Sequence, residues 1–221
     1  MNRKITRPVV ECSRSECIET TFKISFIILL LSLFLISCKS TGPVKKSAAK
    51  VSSCGPVYIT NTKKINLLLP ECACGIFDGI QLLSGSYGKT SFSLLSYTQI
   101  DAIGINLSLF NDFGVDMGNV SFNGERVIFD SAYFPKNLPG EYIICDIQNA
   151  FYDSAALEEN YRNAGLTYEE TLILWETGTP EEIRKIYDGK KLIEEISNHD
   201  DTVTIKNYLR GYEYKLTRLE E

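Results

Sequence analysis

The residues able to do chemistry are few, and each sits in a pattern that limits what it can do. His199, the one histidine among 221 residues, stands in Ser197-Asn-His-Asp-Asp201, a polar turn between strand-like runs. In that setting it reads as a solvated loop histidine, not a general base. Cys72-Ala-Cys74 offers two sulfurs without a nearby histidine. Three states stay open for it: a disulfide from Cys54 to either one, free thiols, or a weak metal pair. Asp112 and Asp116, in Asn111-Asp-Phe-Gly-Val-Asp-Met-Gly118, are read as turn-forming aspartates. No serine lies in a nucleophile-elbow glycine pattern, and no glycine loop suited to phosphate appears. No catalytic residue, metal or cofactor is expected, and the chain is not read as an enzyme.

Cys38 is the residue whose surroundings do point to a reaction, one performed on the chain and not by it. The run from Ile24 to Cys38 is apolar, with Arg3, Lys4, Arg7, Arg14 and Lys23 upstream. About fourteen apolar residues span roughly 21 Å as a helix, short of the ~30 Å hydrocarbon core, which suits a signal segment better than a membrane span. Leu35-Ile36-Ser37-Cys38 resembles the lipobox of bacterial lipoproteins, in which a small residue precedes a cysteine that is acylated and becomes the new N-terminus. That resemblance implies that residues 1–37 are a signal peptide and that Cys38 is lipidated. Acyl chains would then hold the protein on a membrane, since each buried methylene contributes about 0.8 kcal/mol.

Removing 37 of the 221 residues, with five Lys/Arg and three Asp/Glu among them, leaves 184 residues at a formal charge of −7, against −5 for the whole chain. That suffices for one domain with a sizeable core. An acidic chain lacks the clustered Lys/Arg that phosphate backbones require, so nucleic acid is excluded as a partner. Residues 38–55 are small and polar and form a tether that reaches at most ~60 Å from the membrane. Residues 56–221 are the folded domain, expected to be a monomer.

The elements that must position everything else are strands. Residues 57–60 and 65–69 are short candidates; 79–87, 91–100, 102–110, 115–122 and 126–132 follow, separated by Gly88-Lys89, Asp112-Phe113-Gly114 and Asn123-Gly124. Asn-Gly between alternating runs is a strong hairpin signal. Ile103, Ile105, Leu107 and Leu109 are placed on one strand face, with Leu94 before them and Val120 and Phe122 after. A helix begins near residue 137, where Ile143, Ile144, Ile147 and Phe151 recur at spacings of three and four. A second is capped by Asp153 or Ser154, carries Leu157 and Tyr161 on one side, and ends at Gly165. Cys145 is read as a small core residue. Strands resume at 170–176, 182–188, 191–198, 202–208 and 211–219, the last with Tyr212, Tyr214 and Leu216 on one face. Glu194 and Glu195 are read as part of a solvated face. The fold class is mainly β: an open or half-closed antiparallel barrel of about eleven strands, with a two-helix insertion as lid or plug.

Further runs carry a second resemblance. Gly85-Ser-Tyr-Gly-Lys-Thr-Ser-Phe-Ser-Leu-Leu-Ser-Tyr, Asn106-Leu-Ser-Leu-Phe-Asn-Asp-Phe-Gly114 and Asp146-Ile-Gln-Asn-Ala-Phe-Tyr-Asp153 are similar to the pattern of bacterial lipoproteins grouped as domain of unknown function 3261. Asp153 stands where that family would have proline. The family in turn looks like a relative of the Lol carrier and its outer-membrane receptor, open barrels whose concavity takes acyl chains. By that resemblance the protein binds or hands over a lipid or lipoprotein, without catalysis. Leu94, Ile103, Ile105, Leu107, Leu109, Val120, Phe122, Ile143, Ile147 and Phe151 would line the concavity. Lys39, where an aspartate would retain a lipoprotein at the inner membrane, points to the outer membrane, facing the periplasm. The rival expectation is an interaction or assembly subunit with a packed barrel.

Overall fold

Alternation of apolar and polar side chains drives the chain into antiparallel strands. A computed structural model describes residues 3–5, 56–130, 139–176 and 178–219. The strands are β1 Arg3–Ile5, β2 Val57–Tyr58, β3 Lys64–Ile65, β4 Phe77–Tyr87, β5 Thr90–Ile100, β6 Ile105–Phe110, β7 Asp116–Phe122, β8 Val127–Asp130, β9 Thr167–Leu174, β10 Pro180–Asp188, β11 Lys191–His199, β12 Thr202–Asn207 and β13 Tyr212–Arg218. Between β8 and β9 lie helices α1, Gly140–Phe151, and α2, Ser154–Asn163. The cysteines and tether expected at 12–54 lie outside the described residues, Cys38 and Cys54 among them.

One antiparallel sheet runs in the order β1-β9-β10-β11-β12-β13-β4-β5-β6-β7-β8, and its two ends do not pair among the described residues. The barrel is open. Ten strands belong to the expected domain, and the eleventh, β1, comes from the stretch assigned to the signal peptide and lies along β9, Arg3 opposite Leu174. The predicted 65–69 strand shrinks to Lys64–Ile65, because Pro70 opens a 3-10 turn and the intervening backbone bonds to a side chain instead.

Side-chain alternation holds where the register is regular. Ile105, Leu107 and Leu109 are buried with Asn106 between them exposed, and Val203, Ile205 and Asn207 are buried along β12. It fails on β11. Ile186 faces Glu194 while Tyr187 faces Leu192, so Ile193 is a bulged extra residue, and Ile193 and Glu194 are both buried. The expectation of a solvated Glu194 is thereby overturned: the bulge turns its carboxylate into the barrel, where it is 3% exposed.

Helix α1 occupies part of the interior and is buried at every position from Ile143 to Ala150. Successive residues point about 100° apart round a helix, so its polar side chains meet different neighbours. Gln148 forms a two-way pair with the Leu68 backbone, at 3.0 and 2.8 Å. Asn149 donates to Glu194 at 2.9 Å, and Asp146 accepts from Tyr212 and Tyr214. The last carbonyls of α1 are met by buried Arg184, which donates to Asn149 O at 3.0 Å and Tyr152 O at 2.9 Å. Arg184 is in turn paired with Glu182 and, at 3.4 Å, with Glu170. Asp153 caps α2 by accepting from Ala156 N at 2.9 Å, and Gly165 closes it in the left-handed region at φ +72°.

Candidate functional site

Three rows of residues on β13, β4 and β5 shape a concavity beside α1. Tyr212 lies opposite Tyr87, and Tyr87 opposite Thr90; Tyr214, Gly85 and Phe92 form the next row; Leu216, Leu83 and Leu94 the next. Gly85 is required by its neighbours. A Cβ there would stand 2.6 Å from Glu213 O and from Tyr214 Cβ, and 2.9 Å from Phe92 Cζ. Leu107 and Leu109 of β6 and Ile143 and Ile147 of α1 complete a cavity of about 410 Å³, within the ~300–1,000 Å³ usual for small-molecule sites.

The cavity has one polar flank. Asp146 of α1 accepts from Tyr212 OH at 2.7 Å and Tyr214 OH at 3.0 Å, both on its Oδ2. Burial, and then the Glu194 charge, push the Asp146 carboxyl well above the ordinary carboxylate range. Behind it Glu194 accepts from Asn149 at 2.9 Å and Asn207 at 2.8 Å, and Tyr161 donates to Asn149 at 2.8 Å. Burial raises Glu194 as well. The Cys145 thiol lies 4.0 Å from the Tyr161 hydroxyl, and burial holds it well above its usual range.

Of the residues expected to line the concavity, Leu94, Leu107, Leu109, Ile143 and Ile147 come together in it. Ile105, Val120 and Phe122 lie further along the same inner face and are packed as core, away from this cavity. Phe151 turns to the far end, its ring 5.1 Å from that of Phe77. Ile103 is the plain correction. It lies in the turn before β6, 80% exposed, because Asp101 Oδ1 takes the backbone N–H of Ile103 and of Gly104 and starts the strand later than the alternation suggested. Cys38 lies outside the described residues. The sequence missed Asp146 as a wall residue and Leu83 altogether; Tyr212, Tyr214 and Leu216 had been placed on one face, but their neighbour across the sheet depends on β13 pairing with β4, which no local pattern reveals.

The other chemistry-bearing groups stay apart from the cavity. His199 is partly exposed beside Asp200 at 3.3 Å. Cys72 and Cys74 flank Ala73, which bridges to Tyr152, and their backbones bond to Asp153 and Phe151, so this segment pins the α1–α2 junction. Asp116 Oδ1 accepts from Gly118 N, a turn role, while Asn111 organises the β6–β7 hairpin. Among the described residues no group of three or more His, Cys, Asp or Glu is placed to hold a metal.

A family model described as a protein of unknown function, DUF3261, matches residues 80–220. The chain belongs to the DUF3261 family. The match runs from β4 to β13 and so takes in both helices and the whole cavity, while β2 and β3 precede it. No curated protein matches the chain. In this DUF3261 chain, then, the cavity and its acidic flank belong to the stretch that defines the family.

Proposed function

We propose that this DUF3261 protein is a membrane-anchored envelope lipoprotein that binds or transfers an acylated ligand in its concavity, without catalysing a reaction on it. The observation that carries the reading is the cavity of about 410 Å³ between the sheet and α1, walled by Leu83, Leu94, Leu107, Leu109, Ile143 and Ile147. Such walls favour an alkyl chain because it replaces water against apolar surface. An open antiparallel sheet wrapped round a helix supports a likeness to the Lol carrier and receptor, and with it the idea of hand-over. The lipobox-like Leu35-Ile36-Ser37-Cys38 supports anchoring through Cys38, and Lys39 supports the outer membrane, facing the periplasm. Among the described residues no helix is long and apolar enough to cross a membrane. Processing before Cys38 would remove β1 and leave β9 as a sheet edge.

Two measurements test the reading. Metabolic labelling with an alkyne fatty acid should tag the wild-type chain and not Cys38→Ser. Native mass spectrometry of the full chain, extracted from envelopes, should show a lipid adduct that Leu94→Trp, which fills the cavity without adding charge, removes. A chain that carries no adduct, and takes up none when alkyl probes are supplied, would return the protein to the rival reading of a packed assembly subunit.

A further inference from the structure

The polar groups of the cavity are hydroxyls, from Ser86, Thr90 and three tyrosines, and the one carboxyl of Asp146. Among the described residues that line it there is no Lys, Arg or His; its ionisable side chains are Asp146 and the tyrosines 87, 212 and 214. A cation that bears on Asp146 is Arg210. It is held elsewhere, bonded to Tyr58 O and set 4.2 Å over the Tyr142 ring, and it is not part of the lining. Lys89 stands exposed at the β4–β5 hairpin tip, likewise outside it. Behind Asp146 lies a second buried carboxyl, Glu194, whose oxygens are both taken by amides.

The polar groups also sit at one end. Tyr212 shares its row with Tyr87, half exposed beside the hairpin tip, whereas Leu216, Leu83 and Leu94 form a row four residues further along β13. A chain entering past the tip would place its methyl end among leucines and its polar end at Asp146. An ammonium brought against Asp146 favours the ionised form that burial disfavours, and an ionised carboxylate offers about four acceptor sites, so the two tyrosine hydroxyls leave capacity for a third donor. A ligand carboxylate there would meet a carboxyl and no counter-charge, and burying it unpaired is costly.

Resting on the alkyl-cavity reading above, we propose that the site takes an alkyl chain whose polar end donates hydrogen bonds, a primary amine above all, and that Asp146 recognises that end. Free fatty acids are the class it rejects.

The test presents the full chain, in a glycol-ether detergent and stripped of co-purified lipid, with equal amounts of dodecylamine, dodecanol and dodecanoate near neutral pH. Adducts are counted by native mass spectrometry. Dodecylamine should exceed dodecanoate by roughly tenfold or more, with dodecanol between them, as an attractive rather than repulsive charge at contact requires. Asp146→Asn should abolish the preference for the amine and bring it down to about the level of the alcohol. Dodecanoate bound as well as or better than dodecylamine overturns the inference but keeps the cavity, and so does an amine preference that survives Asp146→Asn. Binding of none of the three overturns both. The wild-type comparison decides by itself if the variant does not fold.

Discussion

Gly85 of β4 faces Tyr214 of β13 so closely that a Cβ on the glycine would lie 2.6 Å from the Cβ of the tyrosine. The missing side chain lets Tyr214 and Phe92 converge over it from both sides and lets the Tyr214 hydroxyl reach Asp146 across the concavity. Gly85→Val should push both aromatic rings out of place. The expected cost is about 1–3 kcal/mol, the range for overpacking, read by urea denaturation of the full chain, with the lipid adduct reduced in parallel. An unchanged midpoint would show that the two aromatic side chains yield freely and that the glycine does not set the cavity's width.

Asp146 and Glu194 give the domain a pH dependence whose sign runs against the common one. Burial raises both carboxyls above the ordinary range near 4, to which unfolding returns them. The native state therefore binds protons more readily than the unfolded chain. Their contribution to stability is present in full below about 4 and falls as pH rises through the raised native values. Asp146→Asn keeps an acceptor for the tyrosine hydroxyls and removes one of the two titrations. Relative to wild type, the variant should gain stability steadily from acid toward neutral pH in denaturation series. Parallel curves for the two proteins would mean that Asp146 does not titrate in this way.

Arg184 is the most heavily committed buried cation among the described residues. It pairs with Glu182 and Glu170 and satisfies two carbonyls at the end of α1. Its side chain is 8% exposed, so little solvent screening softens its loss. Arg184→Met should cost about 3 kcal/mol or more, because carboxylates and helix-end carbonyls are left without their partner. It should do so without altering the amine-to-carboxylate ratio of the protein that remains folded, since Arg184 is not part of the cavity wall.

Much of this architecture was legible in the residues. Strand alternation, the Asn123-Gly124 turn, the three-and-four spacing of Ile143, Ile144 and Ile147, and the Gly165 stop each act locally, and each appears close to where it was read. What stayed hidden depends on long-range pairing. Glu194 looked like surface beside Glu195 because a bulge one residue earlier cannot be seen from one strand alone. Ile103 continued the apolar alternation, yet the Asp101 turn takes it out of the strand. Asp146 looked like one polar residue on a helix, and its place in the wall follows only from Tyr212 and Tyr214 arriving from a strand near the other end of the chain.

Leu107 and Val120 are direct partners in the β6–β7 pairing and share the inner face, but only Leu107 borders the cavity. The pair separates a hollow from a packed interior by one comparison. A glutamate at position 107 can turn its carboxylate into the cavity and draw water after it, whereas at position 120, 1% exposed, it must displace packed core. Val120→Glu should lose about 3 kcal/mol or more and accumulate poorly. Leu107→Glu should lose distinctly less, keep the far-ultraviolet circular dichroism of the wild type, and lose its lipid adduct. Equal losses from the two substitutions would mean that the space beside Leu107 does not admit a charged group and its water, and would count against an enterable cavity.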